Sequence, residues 1–129
     1  MQNDFDAWNM VKKSLHSRQN VPFCHARELW WCSLGINIGS EQNGSGKHYA
    51  RPVLILKSLT VRTSLAVPLT SSARDDHFRL YMGRIDGKEA RLLITQVRMI
   101  DTRRLLDKIG YVKKSQFEEI QKTLRNIYF

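Results

Sequence analysis

Residues 28–57 read ELWWCSLGINIGSEQNGSGKHYARPVLILK, and this stretch carries the pattern that decides the fold. Two runs within it, 29–38 and 53–59, are aromatic, β-branched or continuously apolar, which is typical of buried strands. The polar, glycine-rich segment between them is longer than a hairpin turn, and loops of this size commonly bind ligands or carry catalytic groups. Pro52 favours an extended backbone at the preceding Arg51. The sequence therefore predicts a fixed guanidinium group at the start of a buried strand.

The length and composition of the chain predict a single domain over residues 1–129. With 129 residues, 42% of them hydrophobic, the chain is long enough to bury an ordinary core. No apolar run approaches the roughly 20 residues that a membrane-spanning helix needs. The first residues, MQNDFDAWNM, lack the basic and apolar regions of a secretion signal, so we expect a cytoplasmic protein that makes no membrane contact.

The charge of the chain predicts a negatively charged partner. A net charge of +9 at pH 7 creates a positive field that attracts polyanions and acidic proteins. Nucleic acid is the commonest partner of this kind, although excess Lys and Arg also serve solubility. Charge alone does not distinguish RNA, DNA and an acidic protein segment.

The cysteines predict neither a metal site nor a cofactor. Cys24 and Cys32 are the only two, and no CxxC or HxxxH pair accompanies them. We interpret both as free thiols in a reducing compartment, with Cys32 acting as a small buried hydrophobe in a strand. A disulfide between them is the alternative.

Further β-like runs follow the central pair at residues 60–69, 77–85 and 90–99. The Asp86-Gly87 dipeptide between the last two runs is a strong signal for a hairpin turn. Roughly five or six short strands, joined mostly by hairpins, predict a small antiparallel β-barrel. The predicted fold class is therefore mainly β with helices (α+β).

Helices are predicted at both ends of the chain. Apolar residues recur at helical spacing near the start, which predicts an extra N-terminal helix within residues 1–20. Residues 101–110 resemble a helical turn with Asp101 as its cap. The segment that begins at Ser115 matches a capping box and opens an amphipathic terminal helix. The barrel and this helix are assigned to residues 28–129, and the apolar face of the helix is predicted to contain Phe117, Ile120, Leu124 and Ile127 or Tyr128.

Four motifs in a fixed order resemble a known family. They are WWCSLGINIGSEQ, RPVLILK, VPLTS and TQVRMIDTRRLLDKIG, followed by the short C-terminal helix. Together they resemble the MazF/PemK toxins of bacterial type II toxin-antitoxin pairs, to which Kid also belongs. The resemblance implies an SH3-like barrel of the CcdB/MazF type and a homodimer. It also implies metal-independent cleavage of single-stranded RNA at short sequences, as an mRNA interferase, and neutralisation by an acidic cognate antitoxin.

The resemblance implies that Arg51 and Thr70 are catalytic, and the chemistry of these side chains is compatible with that role. RNA carries its own nucleophile, the 2′-hydroxyl, so the enzyme must move protons and stabilise charge on the phosphoryl oxygens. Arg51 offers a planar, permanently charged fork that grips two oxygens at once. Thr70 offers a short hydroxyl donor for the same phosphate.

Further site residues are predicted around this pair. Glu41 matches the glutamate of the family's GSEQ segment, and it acts either as a base or as an organiser of the loop. Amides, hydroxyls and guanidinium groups can contact splayed bases and phosphates, which predicts RNA contacts at Gln42, Asn43, His48, Ser71, Gln96 and Arg98. Each of these residues could instead order its own loop. A groove lined by Trp30 or Trp31 would suit a disordered acidic antitoxin segment that folds on binding.

The chain departs from the family pattern at two places. The segment NGSGKHYA, residues 43–50, separates the family's glutamine from its arginine, which are closer together in many relatives. Thr95 stands where many relatives carry an acidic residue, so proton transfer falls to Glu41, His48 or His77. Two alternatives to an RNA-cleaving enzyme therefore remain: a non-enzymatic CcdB-like poison that binds a protein target, and a degenerate RNA-binding module.

Overall fold

The apolar runs form one curled antiparallel sheet in a computed structural model, which describes residues 22–34 and 50–129. The strands are β1 (Glu28–Ser33), β2 (Ala50–Thr60), β3 (Thr63–Thr70), β4 (Arg79–Ile85), β5 (Lys88–Leu93), β6 (Arg98–Asp101) and β7 (Leu105–Tyr111). A 3-10 helix, Thr102–Arg104, joins β6 to β7, and the helix α1 spans Lys114–Tyr128. The predicted helix within residues 1–20 and most of the loop after β1 lie outside the described residues.

The order of the strands explains the curvature of the sheet. Within the described chain, six of the seven strands follow the order β4-β5-β3-β2-β1-β7, and the seventh, β6, pairs with β3. One edge of β3 is shared, because residues 63–66 pair with β6 and residues 69–70 pair with β5. The sheet therefore turns around β3 into a half-barrel. This architecture, with its C-terminal helix, confirms the predicted mainly β fold class.

The middle of the central strand β2, residues 53–55, is apolar because both faces of the strand are covered there. Successive side chains of a strand point to opposite faces. Leu54 accordingly packs in one cluster with Val67, Phe117 and Ile120, beneath α1. Its neighbours Val53 and Ile55 pack in a second cluster, which also contains Trp30, Cys32 and Leu105. The prediction of a well-buried strand at this position is confirmed.

The two cysteines are buried free thiols, in agreement with the sequence prediction. Cys24 Sγ lies 3.0 Å from Ser64 Oγ, and burial raises the pKa of the Cys24 thiol. Burial raises the pKa of Cys32, which is fully covered inside the second cluster, to about 12. Both thiols therefore serve as small apolar core groups at neutral pH.

The prediction of a helical turn over residues 101–110 is wrong for most of that segment. Only Thr102–Arg104 forms a 3-10 turn, and Leu105–Tyr111 is the strand β7. Asp101 does cap the turn, since its Oδ1 accepts a 2.9 Å hydrogen bond from the Arg103 amide. The rest is extended because β1 would otherwise have an unpaired edge, and pairing with β7 buries Leu105 completely.

Other boundaries also differ from the sequence prediction. β1 spans Glu28–Ser33 and the described Leu34 lies outside it, whereas residues 35–38 of the predicted run are outside the described part of the chain. The predicted strand 90–99 is interrupted, because the Gln96 amide donates a 2.9 Å hydrogen bond to the Leu93 carbonyl in a turn that separates β5 from β6. The prediction of a capping box at Ser115 is wrong. α1 begins at Lys114, and its N-cap residue makes no side-chain capping hydrogen bond.

The terminal helix and the hairpin confirm two local predictions. Phe117 and Ile120 are buried on the core face of α1, and Leu124 packs against the same cluster, whereas Ile127 and Tyr128 are exposed. At the β4–β5 turn, Asp86 and Gly87 have φ values of 52° and 83°. Positive φ at both central residues is the type I′ geometry that matches the twist of a hairpin. No helix in the described part of the chain has the length and apolar character that crossing a membrane requires.

Glu28 links β1 to β7 at the start of the sheet. Its carboxylate accepts hydrogen bonds from Lys108 Nζ at 2.9 Å, from Trp30 Nε1 at 3.0 Å and from the His25 amide at 2.8 Å. Burial by itself would raise the pKa of this carboxyl, but these donors outweigh burial and lower it to about 2. The ionised form of Glu28 is therefore favoured in the folded protein.

Replacing Glu28 by glutamine is expected to lower the free energy of unfolding at pH 7 by about 1 kcal/mol. A lowered carboxyl pKa contributes stability above the unfolded value of 4.5, and that stability is lost as the pH falls towards 2. The difference between wild type and Glu28→Gln, measured by urea unfolding, should therefore shrink between pH 5 and pH 2. Glu118→Gln, at an exposed position on α1, is the control and should show no such trend. A difference that stays constant with pH would contradict this role of Glu28.

Candidate functional site

A cleft of about 320 Å³ opens where β1, β2 and β3 meet the β4–β5 hairpin. The central strands contribute one wall, formed by Trp31, Arg51, Pro52, Leu69, Thr70 and Ser71. The hairpin contributes the other wall, formed by Ile85, Asp86, Lys88, Glu89 and Ala90. Cations, carboxylates, hydroxyls and an aromatic ring therefore border one concave surface.

The register of β2 and β3 places Arg51 beside Thr70. Val53 pairs with Pro68 in this antiparallel ladder, so continuing the same register brings Arg51 level with Thr70. Residues directly opposite each other in an antiparallel pair point to the same face, with Cβ atoms roughly 5 Å apart. Two residues far apart in sequence thus reach one wall of the cleft because they flank the open end of a single hairpin.

Arg51 is held firmly although it carries a charge. Only 6% of its surface is exposed, and its Cα pairs with that of Cys32 across the β1–β2 ladder. A guanidinium group at the edge of a low-dielectric environment interacts more strongly with an anion than it would in water. The prediction of a fixed cation at the start of a buried strand is therefore consistent with the place of Arg51 in β2.

The hydroxyl of Thr70 is oriented by the backbone that follows it. The Ser72 amide donates a 3.2 Å hydrogen bond to Thr70 Oγ1, in the local turn that Ser and Thr commonly form. Thr70 is 4% exposed, whereas the neighbouring Ser71 is exposed at the mouth of the cleft. The end of β3 thus presents one fixed hydroxyl and one accessible hydroxyl.

The aromatic wall of the cleft is Trp31 rather than Trp30. Trp31 pairs with Pro52 across the β1–β2 ladder, and its Nε1 donates a 3.0 Å hydrogen bond to Asp86 Oδ2 at the tip of the hairpin. Trp30 points the other way and is buried in the second cluster. The indole ring is therefore tied to both walls of the cleft.

The structure brings together only some of the predicted site residues. Arg51, Thr70 and Ser71 line the cleft, whereas Gln96 and Arg98 do not. Arg98 is paired with Ala66, well before the end of β3, and Gln96 lies in the turn ahead of it. Their predicted RNA contacts remain predictions. Glu41, Gln42, Asn43 and His48 lie outside the described residues.

Sequence reasoning missed the contribution of the hairpin. Lys88 and Glu89 line the cleft next to Asp86, and each of these side chains is exposed. The signal was available in the Asp86-Gly87 turn, because a tight turn fixes the residues on either side of it. What the sequence alone did not give was the packing of that hairpin beside β1. Within residues 22–34 and 50–129, no cluster of three or more His, Cys, Asp and Glu is arranged to hold a metal ion.

Solved structures with a similar fold include MazF proteins and an endoribonuclease. MazF from Deinococcus radiodurans has a TM-score of 0.62 and 23% identity, over 84% of this chain and 97% of that chain. The Mycobacterium tuberculosis toxin MazF-mt6 has a TM-score of 0.60 and 19% identity, over 79% and 96%. A mycobacterial endoribonuclease in complex with its cognate antitoxin has a TM-score of 0.58 and 19% identity, over 81% and 93%. These similarities define the fold as a MazF-type barrel.

The family follows from the sequence of the chain. A comparison with curated proteins finds no significant match. The profile of one family, described as PemK-like, MazF-like toxin of type II toxin-antitoxin system, matches residues 25–128. The match covers most of the chain, and this protein belongs to that toxin family. The family resemblance carried by the four sequence motifs is therefore confirmed.

Proposed function

We propose that this protein is the toxin of a type II toxin-antitoxin pair and acts as an endoribonuclease on single-stranded RNA. The observation that carries the proposal is the register of β2 and β3, which sets Arg51 and Thr70 side by side in one cleft. A protein that only binds another protein has no evident need for this pair. Membership of the toxin family and the endoribonuclease among the structural neighbours support the same activity.

In the proposed reaction, the 2′-oxygen of the substrate attacks the adjacent phosphorus while the bond to the 5′-oxygen breaks. The products are a 2′,3′-cyclic phosphate and a free 5′-hydroxyl, so the electron and proton balance needs no external reactant. Arg51 stabilises the additional negative charge on the phosphoryl oxygens through paired N–H donors. Thr70 donates its hydroxyl hydrogen to the same phosphate. Water is excluded on the buried side of both residues, which strengthens these interactions.

The proton transfers are assigned to residues of the loop between β1 and β2. A base must accept the 2′-hydroxyl proton and an acid must supply the proton of the leaving oxygen. We propose Glu41 as the third catalytic residue, and Gln42, Asn43 and His48 as RNA contacts, with His48 as the alternative proton carrier. His77 is exposed in the loop before β4 and does not line the cleft. The described geometry therefore does not favour His77 as the proton carrier, and the proposal assigns that role to the β1–β2 loop.

The proposed partners follow from charge and family. The net charge of +9 favours both RNA and an acidic antitoxin segment. One structural neighbour is an endoribonuclease bound to its cognate antitoxin, and we propose an equivalent acidic partner here. The functional unit is proposed to be a homodimer. If a co-expressed acidic antitoxin left RNA cleavage unchanged, this assignment of the partner would be wrong.

The test of the proposed activity is cleavage of a long, mixed-sequence single-stranded RNA by the purified protein in excess EDTA. We expect discrete products with 5′-hydroxyl ends, because the proposed chemistry uses no metal ion. Mapping those ends gives the recognised sequence. A phosphatase and kinase treatment of the products distinguishes cyclic phosphate ends from the 3′-hydroxyl ends that a metal-dependent contaminant would leave.

The alternatives predict different outcomes of the same experiment. A CcdB-like poison would inhibit growth but leave RNA intact, and Arg51→Ala would not relieve that inhibition. A degenerate RNA-binding module would retain short RNA on a filter without cutting it. If the folded wild-type protein yields no cuts in any RNA, the proposed activity is wrong, and the growth assay then separates these two alternatives.

A further inference from the structure

A row of side chains crosses the sheet next to the cleft and ends at an arginine that the proposed reaction does not use. Thr70 of β3 pairs with Arg91 of β5, and Arg91 in turn pairs with Tyr81 of β4. Directly paired residues share one face of the sheet, so the three side chains lie side by side. Arg91 does not line the cleft itself, although the two residues before it do.

The guanidinium group of Arg91 has several partners. Its Nε donates a 2.7 Å hydrogen bond to Asp75 Oδ1, and its Nη1 donates a 3.3 Å hydrogen bond to the Ser72 carbonyl. The same group lies 5.4 Å from the centre of the Tyr81 ring, and the hydroxyl of that tyrosine donates to Glu89. Only 14% of the Arg91 side chain is exposed, compared with 82% for Asp75. The exposed carboxylate of Asp75 is thus held by the mostly buried guanidinium group of Arg91, which also stacks on Tyr81.

These contacts form a chain that leads to the catalytic hydroxyl. Arg91 holds the Ser72 carbonyl, and the amide of the same residue donates to Thr70 Oγ1 at 3.2 Å. These two groups lie on either side of the Ser72 Cα, so a displacement of the Ser72 backbone changes the direction in which the Thr70 hydroxyl points. The segment from Ser71 to Phe78 lies between β3 and β4 and has no regular secondary structure, so side-chain contacts determine its path. Arg91 provides such contacts at two points along it.

We propose that Arg91 is a positioning residue for RNA cleavage, which fixes the Thr70 hydroxyl by holding the backbone of Ser72, with Asp75 completing the clamp. This inference rests on the proposed endoribonuclease activity. A misplacement of about 1 Å at a reacting group costs as much as a hundredfold in rate, so a clamp of this kind has a measurable effect. The competing role for a cation at this place is a direct contact with an RNA phosphate.

The kinetic test uses a short RNA that contains the mapped cleavage sequence. Arg91→Met is expected to lower kcat about tenfold and leave KM within about twofold of wild type. Asp75→Asn, at an exposed position where folding is not at risk, should also lower kcat, by about threefold. In a Thr70→Ala background neither change should have a further effect on kcat, because the group that they position is gone. Arg62→Met removes the same charge at the opposite end of β3 and should leave kcat unchanged.

A direct phosphate contact at Arg91 gives the opposite pattern. Arg91→Met would then raise KM and reduce the salt dependence of RNA binding by about one counterion. Asp75→Asn would lower KM, because it removes a negative charge from the path of the RNA. Either result, or an undiminished effect of Arg91→Met in the Thr70→Ala background, overturns the positioning role.

A second measurement separates failure of the clamp from failure of the proposed activity. Hydrogen exchange of the Ser72 amide, followed by NMR, reports its hydrogen bond to Thr70 whether or not RNA is cut. We expect exchange about tenfold faster in Arg91→Met and in Asp75→Asn, but not in Arg62→Met. Unchanged exchange at Ser72 overturns the clamp. Faster exchange together with an inactive wild-type protein overturns the proposed function instead.

Discussion

Replacing Arg51 by alanine is expected to lower the cleavage rate constant about a thousandfold, because it removes the group that stabilises the charged transition state. Arg51→Lys keeps the positive charge but loses the planar fork that grips two oxygens, and we expect a loss of about a hundredfold. The measurement is single-turnover cleavage of the mapped RNA sequence in EDTA. Binding of the same sequence with a 2′-deoxy group at the cleavage site should weaken far less than the rate constant falls.

The environment of Arg51 sets the controls for this prediction. The side chain is only 6% exposed, so its removal also affects packing, and thermal unfolding must show that Arg51→Ala is folded at the assay temperature. Arg62→Ala, at the exposed turn between β2 and β3, removes one charge away from the cleft and should leave cleavage unchanged. If Arg51→Ala cleaves within about threefold of wild type while remaining folded, the catalytic role of Arg51 is wrong.

Replacing Leu54 by alanine is expected to lower the free energy of unfolding by about 3 kcal/mol. Leu54 is fully buried in β2 and packs between the sheet and α1, so truncation loses both apolar burial and close contacts. For a domain of this size the loss corresponds to a fall of roughly 10 °C in Tm. Urea unfolding followed by circular dichroism measures it.

Leu59 provides a matched control on the same strand. It is 43% exposed, and Leu59→Ala is expected to change the free energy of unfolding by no more than about 0.5 kcal/mol. An equal loss of unfolding free energy in both variants would show that the effect of Leu54→Ala does not come from the burial of Leu54. A loss below about 1 kcal/mol for Leu54→Ala would contradict its place at the centre of the core.

The parts of the fold that were predictable are those for which local pattern and long-range packing agree. The apolar run that begins at Val53 can only be a buried strand or a buried helix, and its β-branched residues together with the adjacent Pro52 favour the strand. Asp86-Gly87 specifies its own turn because both residues accept positive φ. Phe117 and Ile120 recur at the spacing of a helix that covers a core.

The segment from Leu105 to Tyr111 shows where local pattern fails. Its apolar residues are compatible with a helical turn, and a strand is formed there because the open edge of β1 requires a partner. That requirement is a property of the whole sheet, and no window of sequence around Leu105 contains it. The same reason explains the missed break between β5 and β6, since β3 takes its partners from two separate segments.

The residues of the candidate site also fall into two groups, those that the sequence predicts and those that only the packing brings there. Arg51 and Thr70 could be singled out because each stands at the end of a strand within a family motif. Lys88, Glu89 and Arg91 reach the same region only through the packing and pairing of the β4–β5 hairpin, and their sequence neighbourhood carries no chemical motif. The contact of Trp31 with Asp86 likewise depends on how that hairpin meets β1.

The pairing of Val53 with Pro68 also has a consequence for the lengths of segments that lie far from any chemistry. Arg51 and Thr70 stand at the open end of one hairpin whose closed end is the turn between Thr60 and Thr63. A slip of one residue reverses the face of every side chain in a strand. The ladder already takes up two irregularities, between Ile55 and Lys57 and between Ser58 and Thr60, before it reaches the turn. Gaining or losing a further residue along this hairpin therefore keeps Arg51 level with Thr70 only where another bulge absorbs the change. Spacing along this hairpin, rather than residue identity in its turn, is what natural selection would have to hold constant.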